Sequence, residues 1–202
     1  RRLDEISGRR TPAITERLTM PDLFYSFGTC HPGAVTLHNY PRHLQNLTRD
    51  DGERLDRAAV DVLRDRERGV PRYNPFRRLF HKPPLKSFDE LTDNPTWRKQ
   101  FKQVYNGDLE KVDLMAGLYA EPLPEGFGFS ETAFRVFILM ASRRLKSDRF
   151  FTDDFRPEIY TEFGIDFLRR NTMLVVLRRH YPQIAPKLGG LQNAFAPWEK
   201  IG

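Results

Sequence analysis

The chain has 202 residues, with 33 Lys+Arg against 27 Asp+Glu, a formal charge of +6 and 39% apolar side chains. This is the balance of a globular domain, not of a collagen-like, mucin-like or disordered chain. Its longest apolar stretch, Val136 to Ala141, is too short to cross a bilayer, and a single cysteine, Cys30, excludes an internal disulfide or a paired-cysteine motif.

In chain order, residues 1–19 are polar and basic and form a loose lead-in. Helix signals then recur and strand signals are poor, so the fold class is mainly α with little or no sheet. From Leu55 to Arg66, a helical wheel gathers Leu55, Ala58, Ala59, Val62 and Leu63 on one face and Arg57, Asp61 and Arg64 on the other. Spacing predicts Arg57–Asp61 and Asp61–Arg64 ion pairs. That face is either a solvated ion-paired surface or one that meets a charged cofactor. Asn74-Pro75 and Asn94-Pro95 each offer an N-cap followed by proline at the first helical position. Ser87 to Glu90 is a capping box, Gly107 stops the helix ending near Tyr105, and Asp108 caps a run from Leu109 to Leu118. Ser130-Glu131 opens an amphipathic helix with Phe134, Phe137, Ile138, Ala141 and Leu145 on one stripe. Between Phe167 and Arg179, apolar residues and four arginines surround the wheel. This predicts either a buried helix of something larger or two shorter helices. Residues 183–202 form an irregular tail.

Standard nucleotide, zinc-protease, hydrolase and calcium-loop motifs are missing. His38 and His43 are five apart with Pro41 between them, which is wrong for a helical metal pair. Cys30 beside His31 lacks the second cysteine of a haem attachment site and is expected to be a small, partly buried filler. Bases and acids interleave, as in Arg64-Asp65-Arg66-Glu67-Arg68. The chain therefore lacks the one-sided cation cluster that nucleic-acid binding requires.

One stretch is more specific. Arg64-Asp65-Arg66-Glu67-Arg68-Gly69-Val70-Pro71-Arg72-Tyr73-Asn74-Pro75-Phe76-Arg77-Arg78 resembles a signature of the animal-type haem peroxidases, the peroxidase–cyclooxygenase superfamily, in its bacterial or fungal-like members. Val112 to Leu118 with Glu121-Pro122, then Arg143-Arg144-Leu145, then Ser147 to Phe151, resemble the family in the same order. The similarity runs over residues 20–182 and covers the C-terminal part of a multi-helix haem peroxidase domain. Locally, Gly69 can take positive φ and end the helix, and Pro71 prevents its continuation.

The resemblance implies haem b as cofactor of the intact protein. It assigns Asp61 as the hydrogen-bond partner of the proximal histidine and Arg64 as the partner of a haem propionate. The family's distal and proximal histidines have no counterpart here, so no catalytic residue is assigned within this chain. The missing N-terminal part is an expected partner, and the chain alone is expected to be inactive. The family's calcium site is expected upstream as well. The implied activity is reduction of hydrogen peroxide with oxidation of an organic or halide donor; the alternatives are a fatty-acid dioxygenase-type relative or a non-catalytic helical interaction module. Family precedent slightly favours export over a cytoplasmic location, although no leader follows Arg1.

Overall fold

In the computed structural model, residues 8–30, 33–49 and 51–200 are described. After a 3-10 turn at Gly8–Arg10 come α1 (Thr11–Thr15), α2 (Met20–Thr29), α3 (Arg42–Gln45) and a two-residue hairpin, β1 (Leu47–Thr48) with β2 (Arg54–Leu55). Next are α4 (Arg57–Glu67), α5 (Tyr73–Leu79), α6 (Pro95–Val104), α7 (Leu114–Ala120) and α8 (Glu131–Ser147). The last four are α9 (Arg149–Thr152), α10 (Pro157–Arg170), α11 (Met173–His180) and α12 (Ala185–Leu188). The strands pair antiparallel, Leu47 opposite Leu55, and form the sole sheet among the described residues.

Two compact units divide the chain. The first holds residues 33–138, around a core of Tyr73, Phe88, Leu91, Phe101, Val112 and Ala120. Here α5 and α7 approach closely because α7 carries Gly117. A Cβ at that position would lie 2.3 Å from the Tyr73 ring. The Tyr73 N–H donates to the Val112 carbonyl at 2.8 Å and ties the start of α5 to the segment before α7.

The second unit joins residues 3–32 to 139–202. Its core is Leu174, Leu177, Ile184, Leu188 and Trp198. The Trp198 ring lies on Gly28 of α2, where a Cβ would meet it at 2.0 Å, and the Trp198 N–H donates to the Gly28 carbonyl at 2.9 Å. Residues 183–200 thus contribute Ile184, Leu188 and Trp198 to this core.

Local signals succeed where capping is local. Asn94 caps α6 through Thr96 and Trp97, and Gly69 and Gly107 adopt positive φ; Asp56, not singled out from the sequence, caps α4 by accepting from Ala59 N–H at 3.1 Å. They fail where a side chain is drawn elsewhere. Asn74 is no cap: it sits buried inside α5, clasping both backbone groups of Leu85 and donating to Glu110. Residues 87–90 form turns, not a helix, because Glu90 accepts from the Lys86 N–H. The run after Asp108 breaks into a 3-10 turn at Leu109–Lys111 and then α7. The Phe167–Arg179 stretch resolves into two helices, parted at Asn171-Thr172, with all four arginines exposed. Cys30 is exposed, not partly buried, and His31 lies outside the described residues.

Gly117→Ala should force α5 and α7 apart and cost about 2 kcal/mol, the usual penalty for overpacking a filled core. A urea melt checks this, and an unchanged midpoint would contradict the close approach.

Candidate functional site

The Arg64–Arg78 segment turns out to be a set of arms closing on three carboxylates. Asp113, 4% exposed, precedes α7. Arg66 donates to both its oxygens, at 2.9 and 2.7 Å, in the forked geometry that suits a guanidinium to a carboxylate. Arg72 and Tyr105 add further bonds, the latter at 3.0 Å. Burial pushes the Asp113 carboxyl up, but the bonds from Arg66 and Tyr105 and the charge of Arg72 more than offset this, leaving it below the ordinary value of 3.8. Burial likewise raises the Tyr105 phenol, to about 12.

Glu121 follows α7 and is also buried. The Tyr73 hydroxyl donates to it, Arg77 donates at 3.2 Å, and Thr132 donates through both its hydroxyl (2.6 Å) and its N–H (3.3 Å). Lys82 in turn donates to the Thr132 hydroxyl at 2.7 Å. Burial, then the Glu121 charge, drive the Tyr73 phenol well above its ordinary value and keep it a donor. Glu110 receives Arg78 and Asn74 in a more exposed version of the same arrangement.

These clamps hold the end of α4 against the segments flanking α7. The turn between α4 and α5 is fixed by Val70 N–H donating to Asp65 O and Gly69 N–H to Arg66 O. One side of α4 then faces a cleft of about 710 Å³, lined by Ala58 and Val62 of α4, Met115, Ala116 and Tyr119 of α7, and the 33–41 loop. The loop is pinned where Leu37 N–H donates to Tyr119 O and Val35 N–H to Gly128 O.

Asp61 is half-buried on α4, between Ala58 and Val62 in sequence. Its charge reaches Tyr119: burial first, then Asp61, Tyr40 and Asp65, raise the Tyr119 phenol. Arg64 stands one turn further along and is exposed. The expected Arg57–Asp61 and Asp61–Arg64 ion pairs are not among those formed by the described residues; α4 instead sends Arg66 to Asp113. Asp61 and Arg64 thus present an acceptor and a guanidinium, one turn apart, that no described side chain satisfies. Their chemistry fits a haem group, with an imidazole N–H for the first and a propionate for the second.

Sequence reasoning placed Asp113 and Glu121 in family-like segments without giving either a role, and it missed Tyr119. A faint signal existed: Asp113 and Glu121 are lone acids beside apolar runs, and a buried acid needs several donors.

Comparison with known proteins matches residues 2–192 to the animal haem peroxidase family. The chain belongs to that family. Among curated relatives, alpha-dioxygenase 2 of Arabidopsis thaliana is 40% identical over 203 residues, covering 97% of this chain and 32% of that protein. Alpha-dioxygenase PIOX of Oryza sativa subsp. japonica is 46% identical over 174 residues, covering 83% of this chain and 28% of the relative. The crystal structure of Oryza sativa fatty acid alpha-dioxygenase with palmitic acid superposes with a TM-score of 0.88 at 40% identity, over 98% of this chain and 34% of that one. Peroxidase A of Dictyostelium discoideum shares the fold, with a TM-score of 0.58 at 24% identity over 73% of this chain and 27% of the other. The chain therefore spans about a third of the length of the curated relatives it matches.

Asp113→Asn should destabilise the fold by about 3 kcal/mol, because it removes the charge that Arg66 and Arg72 address. The carboxyl is depressed in the folded state, so its contribution is fully present above the unfolded value of 3.8 and is lost as pH falls through the lower folded value. Urea titrations between neutral and strongly acidic pH should show the wild-type advantage shrinking below that point. An equal difference at both ends would contradict the assignment.

Proposed function

We propose that this chain forms the C-terminal third of a haem-dependent fatty-acid alpha-dioxygenase. What carries the reading is the likeness to the rice enzyme solved with palmitic acid, far higher in identity and TM-score than the likeness to peroxidase A. The curated relatives named alpha-dioxygenase cover nearly the whole chain at similar identity. They favour the dioxygenase alternative over reduction of hydrogen peroxide.

Within this reading, Asp61 would accept the N–H of an upstream imidazole that holds the haem, and its negative charge would make that imidazole a stronger donor. Arg64 pairs with a propionate. The bound haem supplies the oxidising centre. The protein's own contribution here is geometric. The Asp113 and Glu121 clamps fix the α4–α5 corner, and Ala58 and Val62 of the same helix line the mostly apolar cleft. The net reaction inserts both atoms of O2 at the α-carbon: RCH2COOH + O2 gives RCH(OOH)COOH, with no external reductant.

Incubating the complete haem-loaded enzyme with palmitic acid and air should consume oxygen and yield the 2-hydroperoxy acid by mass spectrometry, without added peroxide. Peroxide-dependent oxidation of a phenolic donor, with no fatty-acid product, would overturn the proposal. In the same protein, Arg64→Ala should speed haem loss to apomyoglobin about tenfold, the equivalent of one charge-assisted hydrogen bond. Unaltered loss would remove Arg64 from the propionate role.

A further inference from the structure

A second cavity, of about 450 Å³, opens beside the Glu121 clamp within the 33–138 unit, and it shares no lining residue with the cleft beside α4. The end of α5 builds one part of its wall. His81 takes a positive φ of 55°, where glycine is usual, so that the Lys82 N–H returns to the Arg77 carbonyl (2.8 Å) and the His81 N–H to the Arg78 carbonyl (3.1 Å). This reversal brings Arg77 and Lys82 to the same cavity, and both side chains are 10% exposed.

Their donors are incompletely used. Arg77 gives Nε to the Pro83 carbonyl at 2.8 Å, and Nη1 to the Tyr73 hydroxyl and Glu121 at 3.2 Å each; its Nη2 forms no hydrogen bond among the described residues. The sole fully enclosed side-chain atom without a partner among those residues is Asn171 Oδ1, so Arg77 Nη2 is accessible. The Lys82 ammonium carries three protons and directs bonds to two acceptors, Thr132 at 2.7 Å and Glu131 at 3.4 Å.

The acceptors in the same wall are engaged. Glu121 takes Tyr73, Arg77 and Thr132; Glu131 takes Arg135 (2.6 Å) and Lys82; Glu90 takes the Lys86 N–H at 2.9 Å. The lining therefore holds three cations, Arg77, Lys82 and Arg135, against these three carboxylates. Its net charge does not repel an anion, and its two best-buried cations keep protons to donate. An ionised acceptor satisfies such donors more strongly than a neutral one.

We propose that this cavity binds a small oxyanion, a carboxylate or phosphate, through Arg77 Nη2 and Lys82 Nζ, with His81 and Arg135 at its rim. The site does not rest on the dioxygenase reading.

Isothermal titration of the complete enzyme with inorganic phosphate, and separately with acetate, at ionic strength held constant with sodium chloride, tests this. At least one should bind saturably, one per chain, with a Kd of about 1 mM, the scale of two charge-assisted hydrogen bonds. Which of the two binds identifies the source of the oxyanion. Lys82→Met keeps the aliphatic stem, removes a donor and should weaken binding about tenfold. Arg135→Ala alters an exposed side chain and releases a Glu131 oxygen toward the site, so it should weaken binding even if Lys82→Met fails to fold. Absence of saturable binding by either anion would overturn the proposal and leave water on these donors. Binding that the folded variants retain at full strength would also overturn it, by placing the anion elsewhere.

Discussion

Two buried carboxylates that must not be left unpaired govern the 33–138 unit. Asp113 and Glu121 bracket α7, and each would carry a large desolvation penalty without donors. Arg66, Arg72 and Tyr105 meet the first; Tyr73, Arg77 and Thr132 meet the second. Because these donors come from α4, α5, the C-cap of α6, the turn between α4 and α5, and the start of α8, satisfying two acids fixes five places in the chain at once. A half-satisfied network would be worse than an apolar core, so its specificity is all-or-none.

This constraint also bears on where α4 presents Asp61 and Arg64. With Arg66 committed to Asp113, α4 cannot rotate about its axis. Asp61 and Arg64 are thereby held on the turns before the clamp, with Ala58 and Val62 toward the cleft. The arginines of the signature divide their work: Arg66, Arg72, Arg77 and Arg78 build the scaffold, while Arg64 and Arg68 form no ion pair among the described residues.

The mainly helical fold was legible because helix starts and stops are written locally. Asn94, Gly69 and Gly107 act within a few residues of themselves. The signature was legible as a pattern but not as a mechanism, since the partners of Arg66 and Tyr73 lie 47 and 48 residues away. Asn74 shows why such reasoning fails: cap chemistry and buried backbone clasping use the same amide, and only the fold says which is chosen. The stripe assigned to α8 failed differently. Its periodicity describes one apolar face, whereas the exposed Phe137, Ile138, Leu139 and Met140 point all round the helix. The shared helix of Asp61 and Arg64 was legible from periodicity and their roles were assigned by resemblance; the adjoining cleft and the missing ion pairs came from the structure.

A double-mutant cycle on the Glu121 clamp tests the governing interaction most directly. Unfolding free energies of wild type, Tyr73→Phe, Glu121→Gln and the double variant should give a coupling above about 1 kcal/mol, as expected for groups within one buried network. Effects that simply add, to within about 0.3 kcal/mol, would mean that Tyr73 and Glu121 act independently and that the carboxylate is not the organising hub.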